Sequence, residues 1–363
     1  MEQRKIVALG KSSLVVSLPK LWLKMNNLGR GDRVSLDILQ DGSLVVHPIV
    51  DLREEGREMH LYVEADESED SIIRRVIGSY LDGYTSIKLT SERVFTIGQQ
   101  RAIRSIVSTL YMMIMESEAS SILLQTLIDE SKASVISGIE RMHIITSSMC
   151  RDILNAIRNR DEELASSVVT LENDVDQLMF FLLRLIRCAA MNPTLATQLG
   201  LDALDCLDYQ TLVHRIERIA DLATDIANSV IALIGSKMDI PKDVTSVLIR
   251  AAITAFTSYE RAVQSFLSGD VAVTNEIIDN QKEIAESFIA ITPLPRFGDP
   301  DETQTFLHII FIRESIKKIS EYAADIAELT IDRAYKIKNR SFKHTSYKDS
   351  RGNDQQCDIL PDA

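Results

Sequence analysis

Five carboxylates fall on two stretches of the chain: Glu172 and Asp176, then Glu217, Asp221 and Asp225. Each step is four residues, so in a helix each set lies along one face. Like charges at that spacing repel by about 0.2–0.5 kcal/mol per pair. Something must offset this, either the neighbouring Arg215 and Arg218 or a bound cation. If the two helices are neighbours, the two Glu-x-x-x-Asp pairs bring four carboxylates together. Such an oxygen set suits a divalent or trivalent metal ion (Fe, Zn, Mn or Mg). Without metal, crowding should raise the pKa of one or more of the acids. Acids at this spacing also occur on solvated helix faces, so spacing alone leaves both readings open. His214, one turn before Glu217, could add a nitrogen, although a lone histidine near a helix surface is usually not a ligand.

A second kind of chemistry sits at the amino terminus. Residues 1–50 hold seven Lys/Arg against four acids in a chain of net charge −13, which leaves −16 for the remainder. A basic head on an acidic body suggests two different partners, and the acidic body disfavours nucleic acid lying along it.

The elements that must position these groups can be read from periodicity. The acids lie in a helical region, about 129–339, where Ile216, Ile219, Ala220, Ala223, Ala227 and Val230 form an apolar stripe beside them. The region repeats: Arg218-Ile-Ala-Asp-Leu-Ala-Thr-Asp-Ile-Ala is answered by Lys318-Ile-Ser-Glu-Tyr-Ala-Ala-Asp-Ile-Ala. Helices are expected at 131–159, 161–191 and 197–235, then 243–267, 270–290 and 301–338, with breaks at Asn192-Pro193, Gly235 to Pro241 and around Pro293. This predicts tandem three-helix bundles over 129–238 and 242–339. Residues 58–126 alternate strand and helix as a small α+β domain, in which the methionines of Tyr111-Met-Met-Ile-Met115 read as a mixed apolar strand. A charged linker is expected at 51–60 and a disordered tail at 340–363. The fold class is mainly α, with a β domain in front.

Residues 1–50 read as hairpins around a short helix at about 20–27: Gly10 serves one turn and Asp41-Gly42 the other. So short a segment buries too little to fold alone, and an intertwined homodimer would supply the missing core. Trp22 reads as a staple in that core. No apolar run approaches the ~20 residues of a membrane span, no signal-peptide pattern opens the chain, and Cys150, Cys188, Cys206 and Cys357 lack CxxC spacing. A cytoplasmic protein without an integral membrane segment is expected. No general base or substrate pocket is specified, so no enzyme is expected; a metal-dependent hydrolase is the weakest reading.

Two family resemblances add to this. Gly10-Lys-Ser-Ser-Leu-Val-Val-Ser-Leu-Pro-Lys20, with Leu28-Gly-Arg-Gly-Asp32 and the hairpin closed by Asp41-Gly42-Ser43, resembles the AbrB-type (SpoVT/AbrB, MazE-like) swapped-hairpin DNA-binding domain. The resemblance implies dimerisation and DNA binding by basic residues of the first hairpin and short helix: Lys11 and Lys24, with Arg4, Lys5 and Lys20 nearby. Lysine contacts phosphate as a point charge but lacks arginine's fork for guanine. Arg215-Ile-Glu-Arg-Ile-Ala-Asp-Leu-Ala-Thr-Asp-Ile-Ala is similar to the signature of PhoU-type phosphate-signalling proteins. The whole chain then looks like an archaeal AbrB–PhoU fusion. That family implies metal binding, control of phosphate uptake, and as partners a phosphate ABC transporter or a signalling kinase. The second repeat departs from the pattern: Gln281 and Ala285 stand for Glu172 and Asp176, and Lys317 and Glu321 for Glu217 and Asp221. An amide, a methyl and an ammonium do not replace three carboxylates, so metal binding is carried over to the first bundle only. The leading expectation is a DNA-binding regulator of phosphate uptake; the alternative is an adaptor docking on the transporter or kinase, with the hairpins as dimer clasp.

Overall fold

The computed structural model describes residues 3–10, 13–38, 42–48, 57–236, 242–289 and 300–336. Lys11, Asp41, most of the expected linker, the Pro293 break and the tail lie outside these residues.

In the amino-terminal unit, β1 (Val7–Leu9) pairs antiparallel with β2 (Ser13–Val15) in the register Val7 to Val15. Gly10, between them, takes φ 73°, a left-handed conformation that glycine adopts without penalty. After α1 (Lys20–Met25), β3 (Val34–Ile38) pairs with β4 (Leu44–Pro48), Leu36 facing Val46. No described residue of 3–48 is buried. Leu14, Met25 and Ile38 remain 73%, 74% and 73% exposed. The alternation that should make a core is present, but among the described residues of this unit none is buried by it.

The larger unit, Glu54–Lys336, begins with a two-layer α+β domain. Its elements are β5 (Glu58–Tyr62), α2 (Glu69–Leu81), β6 (Ser86–Thr90), α3 (Ile97–Thr109), β7 (Met112–Ser117) and β8 (Ser121–Thr126). The sheet order is β5-β6-β8-β7, with β5 and β6 parallel and the other pairs antiparallel. Ser68 caps α2, and Thr96 with Gln99 forms a capping box on α3. Ile72, Val76, Ile103 and Ile106 of the helices bury with Ile87, Leu89, Ile122 and Leu124 of the sheet. Met112 is buried, whereas Met113 and Met115 are exposed on β7, an edge strand.

The helical region follows a 3-10 turn at Glu130–Lys132. α4 (Val135–Asn159), α5 (Glu162–Met191) and α7 (Ala203–Gly235) pack together, as do α8 (Lys242–Ser268), α9 (Thr274–Ile289) and α10 (Pro300–Ala334). α4 and α5 approach closely at Gly138, where an added Cβ would lie 2.5 Å from Leu182 Cδ2. The two bundles meet through α7 with α10 and α4 with α8, and their buried side chains form one continuous core. Buried alanines on both α7 (Ala220, Ala223, Ala227) and α10 (Ala323, Ala324, Ala327) suit close packing. Lys336 Nζ donates to Asp202 at 2.7 Å and Asp205 at 2.9 Å, tying the end of α10 to the start of α7. Among the described residues no helix is long and apolar enough to cross a membrane.

Asn192-Pro193 ends α5 as expected, but the following helix does not start at 197: Pro193–Gln198 forms a short helix, α6, and α7 begins at Ala203. The Asn192 side chain accepts from the backbone of Thr194 and Leu195, and Pro193 takes the first helical position, so the dipeptide starts a helix as well as ending one.

A fully buried charge joins the α+β domain to the first bundle. Arg184 of α5 is 0% exposed. It donates to the carbonyls of Tyr80 and Tyr84, pairs with Glu130 at 2.7 Å and lies 4.7 Å from the Tyr80 ring centre. A buried guanidinium is tolerated only when its donors are used, and here they fasten the end of α2. Replacing Arg184 with Met should leave Glu130 and two carbonyls unpaired and destabilise the protein by about 3 kcal/mol, checked by urea denaturation; the Arg184→Met/Glu130→Leu pair should recover part of the loss.

Candidate metal centre

The acids are held by two long amphipathic helices. Asp161 caps α5, accepting from Leu164 N, and Asp202 caps α7 in a capping box with Asp205. α5 and α7 pack through buried Val175, Leu178 and Leu182 on one side and Ile216, Ile219 and Ala220 on the other. Asp176 on α5 and Glu217 and Asp221 on α7 stand at the border of this apolar seam. Each of the three offers an oxygen that lies within 4.8 Å of the other two, and all three are half-buried.

Two expected members are placed differently. Glu172, one turn back on α5, lies outside this group but feels the charges of Asp176, Asp221 and Asp225, so the negative strip continues in its direction. Asp225 is exposed and also outside the group. Helical phase explains it: successive i, i+4 steps advance about 400°, so a third residue drifts about 80° from the first. His214 is exposed and outside the group.

Burial and mutual repulsion act on the acids in one direction. Burial, with Asp221 second, pushes the Glu217 carboxyl up to about 7. Burial and then Asp221 raise Asp176; burial and then Asp176 raise Glu172. Asp221 is also raised by burial, although Arg218 pulls it the other way. Arg218 is the local counter-charge: its Nη1 donates to Asp221 Oδ2 at 3.0 Å and its Nε lies 3.6 Å from Glu217 Oε2. Arg215 turns to α10, pairing with Asp325 at 3.0 Å and lying 5.1 Å from the Tyr322 ring centre. In the second bundle Lys317 pairs with Glu321 at 3.7 Å.

The donor set fits a hard or borderline cation. An ion held at roughly 2.0–2.2 Å sets neighbouring ligand oxygens about 3 Å apart, and the three acids now offer oxygens within 4.8 Å of one another. Thr224, two turns beyond Glu217 on α7 and so about 10 Å along the axis, is buried with a hydroxyl that has no hydrogen-bond partner, and it lies outside the group of three acids.

Residues 139–230 match the family described as the PhoU domain, and residues 7–54 match the family described as antidote-toxin recognition MazE, bacterial antitoxin. The chain joins a MazE/AbrB-like domain to a PhoU domain. The matched PhoU domain starts within α4 and ends within α7, so it contains all five acids. A phosphate-specific transport system accessory protein PhoU homolog of Caulobacter vibrioides is 24% identical over 210 residues, covering 55% of this chain and 86% of the relative. Another, from Burkholderia sp, is 25% identical over 228 residues, covering 60% and 92%. The crystal structure of PhoU from Pseudomonas aeruginosa aligns at 21% identity with a TM-score of 0.46, covering 54% of this chain and 93% of that one.

In the MazE/AbrB-like domain, Lys5, Lys20 and Lys24 are exposed, and exposed Arg4 donates to Ser17 Oγ at 3.0 Å. Trp22 is half-buried on α1. Periodicity did not reveal Thr224, whose hydroxyl looks ordinary in sequence. Arg184 left a signal: a lone charge inside the apolar run Leu182-Leu183-Arg184-Leu185-Ile186.

The Glu217 shift has a pH signature. Its folded pKa of about 7 lies above the ordinary 4.5. Below about 4.5 the group is neutral in both states; between there and about 7 the unfolded chain ionises first, so stability falls as pH rises and then levels. Glu217→Gln keeps a neutral donor toward Asp221. The metal-free variant should therefore melt higher than wild type at pH 8, by about 2–4 °C per kcal/mol recovered, with the difference vanishing near pH 4.5. Equal melting temperatures at pH 8 would contradict the assignment.

Proposed function

We propose that this chain is a regulator of phosphate uptake that dimerises and binds DNA through its amino-terminal hairpins and senses its signal through the PhoU domain, with a metal ion held by Asp176, Glu217 and Asp221 and with Glu172 beside them. The observation that carries the reading is the union in one chain of a MazE/AbrB-like domain with a PhoU domain. The relatives' name, phosphate-specific transport system accessory protein, supplies the phosphate context.

Dimerisation is supported by the amino-terminal unit, which has hairpin geometry but no buried described residue. A second copy interleaving its strands would cover Leu14, Met25 and Ile38. DNA binding is supported by the exposed Arg4, Lys5, Lys20 and Lys24, and Lys11 completes the set in sequence. A metal ion, when bound, supplies positive charge to the carboxylates; Fe, Zn, Mn and Mg all suit oxygen donors of this kind. The acids and the seam between α5 and α7 set where it is held, and Arg218 balances part of their charge in its absence. This is a regulatory and not an enzymatic role, placed in the cytoplasm.

A second reading keeps the PhoU domain but makes the hairpins a clasp on an adaptor for a phosphate ABC transporter or signalling kinase. It is favoured by the scarcity of arginine on the first hairpin and α1, where lysine provides charge without base readout. Retention of sheared genomic DNA across a salt series separates the two. The first reading expects discrete promoters to be enriched, with affinity falling steeply in salt and the log–log slope shrinking by about 0.9 for each phosphate contact removed in Lys20→Ala/Lys24→Ala. Retention at background level, unchanged in that variant, would leave the adaptor.

A further inference from the structure

The sheet of the α+β domain is covered on one side only. α2 and α3 pack on the face that carries Ile87, Leu89, Ile122 and Leu124. What the other face presents follows from the strand register. His60 pairs with Lys88, Lys88 with Leu123, and Leu123 with Glu116, so these four form one row across β5, β6, β8 and β7. Cross-strand partners point to the same side of a sheet, and none of the four is buried. The row is basic at its β5–β6 end and acidic at its β7 end, with Leu123 between. Tyr62, Met113 and Met115 add apolar surface on these strands, 49%, 47% and 50% exposed. Among the described residues the side chains of Lys88 and Glu116 have no hydrogen-bond or ion-pair partner. His60 meets Glu58 of its own strand at 3.2 Å.

We propose that this face packs on the same face of a second copy of the chain, about a two-fold axis parallel to the strands. A row with opposite charges at its ends is complementary to itself reversed. An axis along the strands, lying between the two sheets, lays β5 on β7 of the second copy and β6 on its β8 while each row keeps its height. Glu116 of the second copy then meets His60 and Lys88, and the same contacts recur in the opposite direction. The alternative axis, across the strands, sets β6 on β6 and β7 on β7, with Lys88 against Lys88 and Glu116 against Glu116, which like-charge repulsion rejects. Face-to-face sheets lie about 10 Å apart, a gap suited to Leu123 and the exposed methionines. Four short strands make a smaller contact than a stable dimer needs alone, so the inference rests on the hairpin dimer proposed above. Only residues 49–57 separate β4 from β5, and so short a connection keeps the second sheet at roughly millimolar effective concentration.

The test uses full-length protein: wild type, Lys88→Glu, Glu116→Lys, and an equimolar mixture of the two variants, each followed by sedimentation equilibrium over a dilution series. Each variant alone sets like charges against each other twice, and its dimer should dissociate at a concentration about tenfold higher than wild type. In the mixture every contact is again between opposite charges, so the dimer should recover to within about twofold of wild type. Where the hairpins hold pairs too tightly to dilute apart, co-expression of the two variants with tags of different mass gives the same comparison, and heterodimers should exceed the statistical half. An effect within one chain would not be repaired by mixing. Identical dissociation in all four samples with statistical pairing, or weakening that mixing does not repair, would overturn the inference and leave the hairpin dimer standing. A wild type that sediments as a monomer at micromolar concentration would overturn both.

Discussion

Three carboxylates with oxygens within 4.8 Å of one another repel, and the packing of α5 against α7 is what holds them there. The magnitudes settle which effect wins. Each buried side chain of the seam, such as Val175, Leu178, Leu182, Ile216 or Ile219, contributes about 1.5–3 kcal/mol, and several of them act together against the repulsion among three half-buried acids. The acids thus stay crowded because the apolar residues beside them cannot separate without exposing themselves. Crowding is set by the scaffold, and Glu217 is raised by its burial first and by the neighbouring Asp221 second.

The two bundles treat this problem differently on one architecture. In the second, Lys317 sits beside Glu321 and Arg215 reaches across to Asp325, so each acid has a dedicated cation. In the first, among the described residues, Arg218 pairs with both Glu217 and Asp221, and Asp176 joins these two acids from α5. Because α7 packs on α10, Arg215 and Arg218 lie on the same helix but serve different halves of the repeat. Arg184, further along α5 from Asp176, fastens that helix to the α+β domain. One helix thereby carries both an acid of the candidate centre and the anchor of its neighbouring domain.

Much of this was legible in the residues. Apolar periods of 3.6 and 2 placed the long helices and the strands, and the four-residue spacing put the acids on helix faces. The spacing could not say which of the five converge, because that depends on the rotation of each helix and on its neighbour; Glu172 and Asp225 fall outside for that reason. Asn192-Pro193 carried two compatible meanings, stop and start, and only the capping bonds to Thr194 and Leu195 distinguish them. Thr224 was hidden because burial of a hydroxyl is a tertiary fact. The swapped-hairpin resemblance lay in a contiguous motif, which is why it could be read without any knowledge of packing.

The open interior of the amino-terminal unit has a consequence for how much of the protein is active at a given abundance. A segment whose apolar side chains are covered only by a second copy gains stability by mass action, so its folded fraction depends on chain concentration. On the dimeric reading, the exposed Leu14, Met25 and Ile38 make assembly second order in protein. Halving the amount of chain would then lower the paired form by more than half wherever pairing is incomplete. The level of expression would itself be an input to the regulator, independent of anything bound at the acidic seam.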